Sequence, residues 1–121
     1  MENQKSEQCL YLDDFKNISI LEAKIVELIS YNLNDLIIYE QFKKLKVFKR
    51  EASPCGYFCY FSCNEDMPKT TKNGFIGNVN LILNNENIGG AMIFIENGIL
   101  KVIECYFWDE NDFFEKLCNA G

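Results

Sequence analysis

The sequence predicts an α+β fold in which an N-terminal helix pair packs on an antiparallel β-sheet of about four to five strands, with a short C-terminal helix completing the core. Three features carry that expectation. Apolar residues recur with a helical period between Ser19 and Leu45, the pattern turns strand-like after Val47, and Asn97-Gly98 separates two apolar runs.

The first helix is expected from Ser19-Ile20-Leu21-Glu22, which fits a capping box in which Ser19 and Glu22 exchange side-chain to backbone hydrogen bonds. Leu21, Ile25, Leu28 and Ile29 then form an apolar stripe, with Glu22, Lys24 and Glu27 outside it. Asn32 and Asn34 interrupt, and Asp35 is placed to cap a second helix that buries Ile38, Phe42 and Leu45. Val47 to Glu51 reads as a strand, and Ser53, Pro54 and Gly56 supply a turn before Tyr57-Phe58-Cys59-Tyr60-Phe61-Ser62-Cys63. That run is aromatic on both faces, which predicts a central strand with helices on one side and something else, such as a partner, on the other. A polar loop spans Asn64 to Gly74, and a further strand runs from Phe75 to Leu83. The Asn97-Gly98 pair favours a type I′ turn, pairing Ile95 with Leu100 and Ile93 with Val102 in a tight hairpin. The same register carries Glu104 onto the face of Ala91, either at a wet edge or beside a base. Asp109, Glu110 and Asp112 precede Phe113, Phe114 and Leu117, a pattern that suits a terminal helix with acids at its start.

A chain of 121 residues with 48% apolar and 25% charged residues is expected to form one domain over 1–121, with 1–8 as a disordered lead-in. The start of the sequence has neither the basic region nor the apolar stretch of a secretory signal, and no segment is apolar for long enough to span a bilayer, so a cytoplasmic protein with no membrane partner is expected. In that compartment the six cysteines are expected to be reduced core thiols.

The sequence contains no histidine, which removes Cys-His and Ser-His-Asp nucleophilic systems. Gly89-Gly90 leads into a strand and not a helix, so it suits a bulge or a close backbone approach better than a phosphate cradle. Cys55, Cys59 and Cys63 recur every fourth residue; in one extended strand neighbouring members would stand about 13 Å apart, too far to share a metal. No catalytic residue, cofactor or metal site is expected. Lys43, Lys44, Lys46, Lys49 and Arg50 precede the aromatic strand and together supply the ingredients of a single-strand nucleic-acid platform. The net charge of −6 opposes that reading and favours a basic protein partner.

The stretch from Gly90 to Tyr106, Gly-Ala-Met-Ile-Phe-Ile-Glu-Asn-Gly-Ile-Leu-Lys-Val-Ile-Glu-Cys-Tyr, follows an amphipathic helix pair. It is similar to a hairpin of the bacterial immunity proteins of contact-dependent growth inhibition and related polymorphic toxin systems. The likeness is loose over Ser19 to Leu45 and closer over Gly89 to Tyr106; the Cys55 to Cys63 run has no counterpart in it. The resemblance implies a cytoplasmic protein that binds a cognate toxin, often a basic nuclease, and blocks its active site or substrate entry. The residues expected to meet the partner are Trp108 as an aromatic anchor, Asp109, Glu110 and Asp112 around it, and Glu65 and Asp66 on the long loop. Each has a plainer reading, Trp108 as core and the acids as solvated charge. An uncovered edge strand would also permit a homodimer.

Overall fold

The structure, a computed structural model, describes residues 8–63 and 65–120. Asn17 starts the first helix: its side chain accepts from the amides of Ser19 (2.8 Å) and Ile20 (3.2 Å), and helix α1 runs over Ile18–Asn32. The expected Ser19–Glu22 capping box is therefore not made. The cap lies two residues before Ser19, and Glu22 stands on the inward face with Ile18, Ile25, Val26 and Ile29 and is buried. Asp35 caps α2 (Leu36–Lys44) as anticipated, accepting from the amide of Ile37, and Ile38 is buried with Phe42 and Leu45 packed partly against the core.

The remaining chain forms one sheet. Strand β1 (Cys9–Tyr11) and a short 3-10 turn (Leu12–Asp14) precede α1; after α2 come β2 (Lys46–Ser53), β3 (Gly56–Ser62), β4 (Gly74–Leu83), β5 (Glu86–Glu96) and β6 (Ile99–Phe107), and then helix α3 (Phe113–Ala120). The order across the sheet is β1-β4-β5-β6-β3-β2. The fold is thus α+β as expected, with six strands in a mixed sheet, because Cys9–Tyr11 pairs parallel with β4. Gln8, at the end of the expected lead-in, accepts from the amide of Asn80 (2.7 Å) and belongs to the fold; residues 1–7 lie outside the described residues.

The β5–β6 hairpin turns at Asn97-Gly98, both with positive φ, as the type I′ geometry requires. Ile95 meets Leu100 as expected, but a bulge follows: Phe94 pairs with Val102 and Ile93 with Ile103. Strict alternation would have turned Glu104 inward and Ile103 and Phe107 outward. The one-residue slip reverses this, burying Ile103, Cys105 and Phe107 and setting Glu104 opposite Met92, where Ala91 had been expected. Gly89 and Gly90 serve close approach, since a Cβ on Gly89 would strike the backbone of Tyr106 and Phe107.

Leu21, Ile25 and Ile29 of α1, Ile38 of α2, and Phe114 and Leu117 of α3 join the inward residues of the sheet in one buried cluster. Phe114 stacks between Tyr57 (4.8 Å) and Phe107 (5.0 Å), which holds α3 on the same face as the other two helices. The opposite face, carrying Phe58, Tyr60, Phe94 and Val102 at alternate positions, has no layer over it among the described residues.

Candidate functional site

The chain leaves β6 into a loop whose shape is set by its neighbours. The amide of Phe107 donates to Cys55 (2.9 Å) and that of Asn111 to Pro54 (2.8 Å), both in the β2–β3 turn; the amide of Trp108 donates to Ile88 on β5 (3.0 Å). The Asn111 side chain accepts from Phe113 (2.8 Å) and so starts α3. A segment tied at both sides and at its exit holds its side chains in place before any partner arrives.

On this support Trp108 is 60% exposed. It borders a cavity of about 310 Å³ with Glu86, Ile88, Asp109 and Glu110. Glu110 and Asn111 also line a second, open cavity of about 710 Å³, whose other walls include Ser53, Pro54, Asp112 and Glu115. The two cavities together present five carboxylates, from Glu86, Asp109, Glu110, Asp112 and Glu115, and no lysine or arginine lines either. The nearest cation in sequence, Lys116, bonds to Asp112 at 3.3 Å. Of the residues singled out from the sequence, Trp108, Asp109, Glu110 and Asp112 are brought together here.

Glu65 and Asp66 are not. Their loop leaves the far end of β3 and is anchored beside the hairpin turn, where Thr70 donates its amide to Gly98 (3.0 Å). Buried Gln41 secures the same end, donating to Pro68 and Gly98 (2.8 Å each) and accepting from Leu100 (3.0 Å). Trp108 and the Glu65–Asp66 pair therefore flank opposite ends of β6, roughly 25–30 Å apart along the strand direction. Conversely, Glu86 and Glu115 belong to the acidic end although neither is among the residues expected to meet the partner. The available signal was the Asn84-Asn85 pair between two strand-like runs: both residues take positive φ, fold β4 tightly onto β5 and bring Glu86 back to this end of the sheet.

Three of the five cations of the basic segment are paired. Lys43 pairs with Glu40 (3.0 Å), Lys49 with Glu51 (3.4 Å) and Arg50 with Glu22 (2.7 Å), leaving Lys44 and Lys46 without an ion pair among the described residues. A single-strand nucleic-acid surface draws on free cations beside its aromatic rings, and three of these five cations are engaged in ion pairs within the chain.

Glu22 organises the interior. Its carboxylate accepts from Arg50 Nε (2.7 Å) and Nη2 (2.8 Å) and from the buried Tyr57 hydroxyl, which joins α1 to β2 and β3. These bonds from Glu22 raise the Arg50 pKa above its ordinary range. Burial, reinforced by the Glu22 charge, pushes the Cys59 and Cys105 thiols up, so both remain protonated hydrophobes. Cys55 lies exposed in the β2–β3 turn, and Cys63 lies past the end of β3 with its thiol donating to the Glu65 carbonyl (2.9 Å), so of the three regularly spaced cysteines only Cys59 is in the strand. No group of three or more metal-ligating side chains converges among the described residues, and no helix among them is long and apolar enough to cross a membrane.

No protein-family model matches this sequence, and no characterised protein or solved structure matches the chain.

Proposed function

We propose that this chain is an immunity protein: it binds a cognate toxin domain in the cytoplasm of the cell that makes both, and neutralises it by occupying a basic active-site or substrate-entry surface. The observation that carries this reading is the exposed Trp108, on a loop pinned by backbone hydrogen bonds, beside two cavities that share Glu110 and Asn111 and are lined by five carboxylates. Tryptophan is over-represented among the side chains that dominate binding energy, and a pre-ordered loop lowers the entropy lost on association. The carboxylates accelerate encounter with a positively charged partner and set the orientation of docking. A toxin that handles nucleic acid offers such a surface, and an interface of about 1,600 Å² centred on Trp108 would be of ordinary size. Neutralisation by occupancy asks for no catalytic group of the inhibitor's own.

The test is genetic. The C-terminal domain encoded by the reading frame next to this one is expressed from an inducible promoter, with and without the chain. Growth arrest relieved by the wild-type chain, and not by a Trp108→Ala, Glu110→Lys double variant that folds normally, is the expected result. A domain that does not arrest growth, or arrest that the chain fails to relieve, overturns the proposal.

A further inference from the structure

We infer that the helix-free face of the sheet is a self-association surface, on which two copies of this chain pack face to face as a symmetric dimer. Among the described residues all three helices cover one side of the six strands, and no helix or strand lies over the other side, where Phe75 is exposed and Phe58, Tyr60, Phe94 and Val102 are half-buried. Phe75, 58% exposed, packs on Phe94 with ring centroids 4.7 Å apart; Val102 lies beside Phe94, and Phe58 stacks along Tyr60 at 6.1 Å. Tyr106 is held down on the same face. Its hydroxyl reaches Asn78 on β4 (3.1 Å) by crossing β5 at Gly90, where a Cβ would collide with the ring. The absent side chain at position 90 thus lets a tyrosine lie flat, and the surface stays level enough to meet another sheet.

Area and charge identify the occupant. Six strands about 29 Å across and about 23 Å long offer roughly 650 Å² per copy, and roughly 1,300 Å² for a pair, enough for a specific dimer. The charges on this face nearly balance, with Lys49 bonded to Glu51 (3.4 Å) and Lys101 and Glu104 both on β6. A surface close to neutral can meet its own copy without repulsion, whereas the acidic end around Trp108 cannot. Edge-to-edge pairing, the route suggested by an uncovered strand, is opposed at β2, which carries Lys46 and Lys49 and is broken by a bulge between Val47 and Lys49. Packing face to face leaves both acidic ends free, so a dimer would still present two toxin-binding surfaces.

Sedimentation equilibrium of the full chain, at concentrations from about 1 μM to about 1 mM, spans the Kd range in which a dimer of this size is detected. The average mass is expected to rise from the monomer's 14.1 kDa towards twice that value. Phe75→Lys and Val102→Lys are each expected to weaken the dimer by about tenfold or more, while Tyr31→Lys, at an exposed position of α1 on the other side of the sheet, leaves it within about twofold. Far-UV circular dichroism checks that each variant is folded; should Val102→Lys unfold, Phe75→Lys decides, because that ring already stands mostly in solvent. A chain that stays monomeric throughout, or a dimer lost with Tyr31→Lys and kept with Phe75→Lys, overturns the inference.

Discussion

Replacing Glu22 by alanine removes three hydrogen bonds at once and leaves their donors behind. Tyr57 is fully buried, so its hydroxyl loses its acceptor with no water to replace it, a loss of about 1–3 kcal/mol. Arg50 keeps its charge, and its side chain is 28% exposed, so part of its solvation can be recovered; the cost of breaking a buried pair then falls near the low end of the range, about 3 kcal/mol. The two losses overlap because they share one carboxylate, and about 4 kcal/mol is expected for the variant. In a chain of this size that is a large share of the whole stability and lowers Tm by roughly 15 °C. Urea unfolding followed by circular dichroism, with the dependence on denaturant unchanged, measures it directly. Glu22→Gln, which retains one acceptor, is expected to lose about half as much. A loss below about 1 kcal/mol for Glu22→Ala would refute the reasoning, since it would mean that Arg50 and Tyr57 are satisfied without Glu22.

Two further outcomes follow from local geometry. Asn17→Ala is expected to destabilise the protein by about 1 kcal/mol and Ser19→Ala by only a few tenths; equal or reversed losses in urea titrations would return the cap to Ser19. Burial opposes ionisation of Asp35, but hydrogen bonds from Thr70 and Lys72 outweigh it and hold the carboxyl below its ordinary pKa of 3.8. Its stabilisation is therefore complete above that value and lost as pH falls through the lower value of the folded state. Asp35→Asn, which can still cap α2, should be about 1–2 kcal/mol less stable near neutral pH, with the gap closing under acid; a gap constant down to pH 2 contradicts the assignment.

Most of the helices and strands were legible because each is written in a periodic pattern with turn residues at its ends. Asp35 before Leu36, the Asn97-Gly98 pair and the Phe113-Phe114-Leu117 spacing led to the second helix, the hairpin and the closing helix as observed. The departures arose where tertiary packing outweighed a local preference. Ser19-x-x-Glu22 has the form of a capping box, yet Glu22 also stands three residues before Ile25 and four after Ile18, inside the apolar stripe, where Arg50 on β2 and Tyr57 on β3 satisfy its buried carboxylate. The hairpin register was right for one pair and then slipped at Lys101, because continued alternation would have buried Glu104 and exposed Phe107. Cys9–Tyr11 is too short for its alternation to identify it, and its parallel partner lies about seventy residues away. The acidic end was half visible: Trp108 through Asp112 are contiguous, whereas Glu86 and Glu115 reach it only through a turn and a helix, and Glu65 and Asp66 shared the charge but not the place.

Binding of the proposed toxin domain to this chain, followed by calorimetry across a range of salt concentrations, bears most directly on the role proposed for Trp108 and its carboxylates. Affinity should fall steadily as salt rises, and the slope should shrink when Glu110 and Asp112 become lysine. Trp108→Ala should cost at least 2 kcal/mol of binding while Glu65→Lys, at the other end of the sheet, changes little. Tight binding that ignores salt and survives all three changes around Trp108 would mean that the toxin is held by some other surface.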